Sequence, residues 1–172
     1  MKTISLILLG MISSLTVHAQ TLTDQNMSPI NSDSRQLVNY PPEVKAHLLA
    51  NMRGHLQALA DIMDAFARAK YTEAADIADQ RLGMTSQGAT GCQMEGKGMK
   101  MMSNSMHLDH QMSQLMPEKM RELGQNMHKS ANEFAAKARV ADKDSTKAAD
   151  AAIALAKIPQ QCVACHTSFR IQ

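Results

Sequence analysis

Apolar residues recur along the chain at helical, not strand, spacing. Leu49, Met52, Leu56, Leu59, Met63 and Phe66 advance by alternating steps of three and four. That heptad seam predicts a helix over about 43–69 whose apolar face turns toward partner helices. Pro41-Pro42 opens it, with Pro42 in the first turn, where a missing N–H costs nothing. Ala74, Ile77, Ala78 and Leu82 give a second apolar face over about 73–82, with Thr72 as its N-cap and Gly83 past its end. Gly83, Gly88, Gly91 and Gly96 mark 83–97 as a loop. Residues 98–116 fit no single period, and Ser103, Asn104 and Ser105 weaken any short helix there. A third seam starts near Pro117 and joins Met116, Met120, Leu123, Met127, Ala131, Phe134 and Ala138, interrupted at modest cost by Gly124. After Asp144 or Ser145 a fourth carries Ala148, Ala149, Ala152, Ile153, Leu155 and Ala156. Pro159 is expected to kink or briefly break it, leaving a last helical segment over about 160–170.

The N-terminus has a different pattern. Lys2 precedes a largely apolar run from Ile4 to Val17, and Val17-His18-Ala19 ends in small-residue fashion. This predicts a secretory signal peptide over 1–19, cut between Ala19 and Gln20, since the run is short for a transmembrane span. Residues 20–41 are rich in Gln, Asn, Asp, Ser and Thr without a period, and read as a flexible leader. Residues 42–172 remain as one domain, expected to be soluble and periplasmic, in a compartment that permits disulfides.

Composition sharpens the class. The chain has 172 residues, only 3% of them aromatic, with no Trp and 15 Met. Few β-branched and aromatic residues among many helix formers predict an all-α domain. Lys and Arg total 18 against 16 Asp and Glu, a net charge of +2. That balance excludes the strongly basic face of a nucleic-acid binder and a polybasic membrane anchor. Three Cys cannot form a disulfide scaffold. No catalytic triad, phosphate-cradling Gly loop or carboxylate pair on a defined face is present in the sequence, which argues against an enzyme.

The chemistry concentrates at the C-terminus, where Cys162-Val163-Ala164-Cys165-His166 forms C-x-x-C-H, the attachment signature of c-type haem. On a helix two sulfurs three residues apart share a face, and each can form a thioether with one haem vinyl group. His166 lies close to the same face, where its imidazole can bind the iron as proximal ligand. A thiol oxidoreductase would need a βαβ context, and a zinc site a second ligand pair; neither is offered, and Cys92 stands alone as a third thiol.

The segment Cys162 to Arg170, CVACHTSFR, resembles the C-terminal segment of the cytochrome c-prime family, the class II c-type cytochromes. Phe169 and Arg170 match the aromatic and the Arg that follow the motif in that family. The resemblance implies an antiparallel four-helix bundle with one covalent haem, exported and engaged in one-electron transfer, with Arg170 as a haem-pocket residue. It also implies a homodimer through the first two helices. The electron donor and acceptor proteins are not selected by so nearly neutral a charge. The family has five-coordinate members and six-coordinate members with a distal Met on the first helix. Here Met52 on the seam is one candidate distal ligand and His55 at its flank another. An apolar distal side instead of either would suit binding of nitric oxide or carbon monoxide. A third reading rests on Met94, Met99, Met101, Met102, Met106, Met112, Met116, Met120 and Met127 with His107, His110 and His128, a periplasmic copper-binding segment. Its spacing enforces no compact ligand set. The Met- and Gly-rich stretch and Cys92 are departures from the family pattern.

Overall fold

The computed structural model describes residues 33–92 and 104–172. The expected signal peptide, most of the leader, and Met94, Met99, Met101 and Met102 lie outside the described residues. Among the described residues the fold is all-α but for two short strands. Helix α1 spans Pro42–Ala67, α2 Tyr71–Ile77, α3 Asn104–Leu115, α4 Glu118–Lys143 and α5 Ala148–Ser168; strands β1, Gln36–Val38, and β2, Phe169–Ile171, flank them.

Local chemistry sets the helix ends. Pro42 starts α1 as the sequence predicts. Its end differs: α1 stops at Ala67, before the expected 69, because Ala69 turns into the left-handed region with φ 57°. Lys70 N–H then donates to Ala65 O and Ala69 N–H to Phe66 O, both at 3.0 Å. These two bonds are a Schellman closure, with alanine where glycine is usual. Accordingly α2 begins at Tyr71 behind Lys70, and Thr72 lies inside the helix instead of capping it. One turn of π-helix, Ala78–Leu82, completes α2. The expected loop over 83–97 contains a 3₁₀ turn at Gln87–Cys92. The region without a clear period contains α3, whose last carbonyls are capped by Arg121: its Nη1 donates to Ser113 O at 3.2 Å and to Met116 O at 3.1 Å.

Helix α5 runs unbroken through Pro159, where the sequence led us to expect an interruption. Proline removes one N–H bond and crowds one carbonyl. Here α4 lies along α5 as the most extensive helix pair, and that packing supports the helix across the gap. The helix ends at Ser168, not near 170, because Phe169–Ile171 pair in parallel with Gln36–Val38. Residues expected to be a flexible leader therefore contain a strand.

Two apolar clusters carry the packing. One is rich in alanine: Ala74, Ala75 and Ala78 face Ala131, Ala135 and Ala138, closed by Phe134, Ile62 and Ile158. Small side chains let helices approach, and α2 packs on α4 and α1. Arg139 clamps this contact from α4, its Nη1 donating to Asp79 at 2.7 Å and its Nη2 to Asp76 at 2.8 Å. The other cluster gathers Val38, Tyr40, Val44, Leu48, Met112, Met116, Met120, Leu123 and Phe169. The α4 seam is buried as predicted. The α1 face is rotated: Val44, Leu48, Ala58, Ile62 and Ala65 are buried, while Leu56 is 69% and Met63 54% exposed. In α5, Ala151, Ala154 and Ile158 are buried and Ile153 is exposed. Among the described residues no helix is long and apolar enough to cross a membrane.

Candidate functional site

The rotation of α1 has a structural counterpart. Leu49, Met52, Leu56 and Leu59, the first four residues of the predicted seam, line a cavity of about 480 Å³. Helix α5 forms the opposite wall with Ile158, Cys162, Cys165 and His166, and Met120, Leu123 and Met127 of α4 join them. Its lining is predominantly apolar, and its size is within the range of about 300–1,000 Å³ usual for small-molecule and cofactor sites. A second hollow of about 310 Å³ shares Leu49, Met52, Met120, Cys165 and His166 and adds Arg35, Phe169 and Arg170.

Helical spacing puts both α5 sulfurs on this wall. Cys162 and Cys165 are free thiols, each half-buried. Burial pushes both thiols up from their ordinary pKa, and the neighbouring Cys162 adds to the effect at Cys165. At neutral pH both are therefore protonated. Cys162 Sγ donates to Ile158 O at 3.7 Å. His166 follows in the last turn, exposed at the rim. Its backbone carbonyl accepts a bond of 3.1 Å from Arg35 Nη1, a contact no local motif in the sequence could announce. Arg170, on β2, is half-buried and pairs in register with Leu37.

The two candidate distal residues separate in space. Met52 is half-buried and lines both the cavity and the adjoining hollow, together with Cys165 and His166. His55 also lines the cavity, but its ring meets His128 edge-on, with centroids 5.3 Å apart. Cys92 lines the cavity from the 3₁₀ turn, and burial pushes its thiol up to about 11.

Of the methionine-rich stretch, Met112, Met116, Met120 and Met127 are buried in the two clusters, and Met106 is half-buried on α3. His107 and His110 hydrogen-bond Gln111 and Gln114, one turn onward. Sequence reasoning also passed over the pair His47–Asp109, 2.6 Å apart, which ties α1 to α3 through a carboxylate only 3% exposed. No family model matches the chain, and no similarity is found to a curated protein or to a solved structure.

Proposed function

We propose that this chain is an exported monohaem c-type cytochrome, built as an antiparallel four-helix bundle, that transfers single electrons. The observation that carries the reading is the placement of C-x-x-C-H. Both thiols and His166 line one apolar cavity, and Met52 stands on its other wall. Four helices, α1 with α2 and α4 with α5, are each joined by a short connection, as antiparallel neighbours in a bundle are.

The residues present fit a haem. The cavity has cofactor size, its walls are apolar, and its donors are two thiols, an imidazole and a thioether, the set used for thioether attachment and His/Met ligation. Cys162 and Cys165 would hold the group covalently, and His166 and Met52 would bind its iron. Leu49, Leu56 and Leu59 would exclude water, and Arg170, whose guanidinium suits carboxylates, lies at the adjoining hollow. When bound, haem supplies an iron that cycles between Fe(III) and Fe(II). The chain's own contribution is to fix both ligands on rigid helices and keep the site dry, which limits reorganisation when charge changes.

The absorption spectrum in both oxidation states tests this function. A low-spin spectrum with a weak sulfur-to-iron band at the red end, converted by Met52→Ala to a high-spin form that takes up carbon monoxide, is the expected result. A wild-type protein that is high-spin in both states would reject the Met52 assignment and favour gas binding.

A further inference from the structure

Strand β1 reaches the far end of the chain next to His166. Gln36 pairs in parallel register with Phe169, Leu37 with Arg170 and Val38 with Ile171. Gln172 N–H extends the pairing by donating to Val38 O at 3.1 Å. Val38, Tyr40 and Phe169 are buried in one cluster with Met112, Met116 and Met120, so packing anchors the strand pair as well. Arg35 immediately precedes Gln36, and this register sets it beside the last turn of α5.

That turn needs donors from outside. The last four carbonyls of an α-helix have no donor within the helix. In α5 the Cys165 carbonyl accepts from Phe169 N–H, and the His166 carbonyl accepts from Arg35 Nη1 at 3.1 Å, across 131 positions of sequence. A cation is the favoured partner at this end of a helix, where the aligned peptide dipoles leave partial negative charge. Helix ends also fray, and His166 lies two residues from the end of α5. An anchor on its peptide therefore matters more there than in mid-helix. Arg35 and Arg170 line the hollow that His166, Met52 and Cys165 share with the main cavity, so the guanidinium stands on the ligand side of the site.

We propose that Arg35 is a positioning residue for His166. It pins the peptide of the iron-ligand candidate against fraying and sets a positive charge beside it that favours Fe(II) over Fe(III). The inference rests on the haem reading, since the charge it acts on is that of the haem iron. Arg35 is exposed, so water and salt weaken its field.

Redox titration of the full-length protein, expressed with the haem-attachment machinery, tests it in three variants. Arg35→Gln keeps a donor without the charge, Arg35→Lys keeps the charge, and Arg35→Met loses both. The expected result is a lower midpoint potential in Arg35→Gln, equivalent to roughly a two- to fivefold shift of the iron toward Fe(III) at a fixed potential. Arg35→Met should fall at least as far, and Arg35→Lys should stay close to wild type. The gap between wild type and Arg35→Gln should shrink as ionic strength rises. A role confined to holding the fold would not follow charge and salt in this way. Circular dichroism checks that the variants fold. Neutral variants with the wild-type midpoint, an equal fall in Arg35→Gln and Arg35→Lys, or a gap that salt leaves unchanged would each overturn the assignment. The mass of each denatured chain is read on the same samples. Haem on the chain with unaltered midpoints removes the role of Arg35 alone, whereas a wild-type chain at its bare mass removes the haem reading and this inference with it.

Discussion

Ala69 holds a backbone conformation, φ 57°, that an L-residue with a Cβ adopts at a cost of about 1–2 kcal/mol. The two bonds of the Schellman closure keep it there. Ala69→Gly removes the steric cost and returns part of it as chain entropy in the unfolded state. We expect a net stabilisation of about 0.5–1 kcal/mol, read as a higher urea midpoint at unchanged slope; a lower midpoint would contradict the closure. The sequence could not show this helix end, because alanine is a helix former and the usual glycine signal is missing. Cys162, Cys165 and His166 are the opposite case: their spacing predicts a shared helix face, and all three line one cavity. Met52 and His55 are intermediate. One helical turn apart, they differ by spacing only as seam and flank; the fold separates them further, with Met52 at both hollows beside Cys165 and His166 and His55 against His128, more than 70 positions further along the chain.

At the level of elements, α4 was legible because it is buried along one continuous stripe, so period and burial coincide. In α1 the heptad seam is real, but Leu49, Met52, Leu56 and Leu59 line a cavity, while the buried positions are Val44, Leu48, Ala58, Ile62 and Ala65. Periodicity marks an apolar face without saying whether a helix or a cofactor-sized space lies against it. Gly124 similarly looked like a weak point in α4. A Cβ there would stand 2.5 Å from Cys92 Sγ, so glycine is what lets the 3₁₀ turn pack on the helix. Gly124→Ala should therefore lower stability, although alanine is favoured by about 1 kcal/mol in a helix interior. Adding Cys92→Ala should recover the loss and expose the helix gain. Denaturant unfolding of the two single variants and the double variant checks this; additive effects would mean the two sites do not touch.

For the molecule as a whole, the all-α class followed from composition and from the four apolar faces, whereas the parallel pairing of β1 with β2 did not. Three-residue strands carry no period, and Gln36–Val38 sit at the end of a polar stretch. Their role becomes visible only when the C-terminus returns beside them, with Arg35 on the His166 carbonyl and Val38 5% exposed. Deleting residues 34–39 should cost about 1.5–3 kcal/mol, the burial of one valine-sized side chain, in urea unfolding. An unchanged midpoint would show that the strand is idle and the leader dispensable.

Covalent attachment of haem through Cys162 and Cys165, at the end of α5, is the central proposal. Mass spectrometry of the denatured chain, after expression with the haem-attachment machinery, reads it directly. The account predicts a polypeptide heavier by one haem that keeps its colour through acid-acetone extraction, and a bare polypeptide when Cys162 and Cys165 are both changed to Ser. A wild-type chain at its bare mass, with any haem passing freely into the acetone, would contradict it.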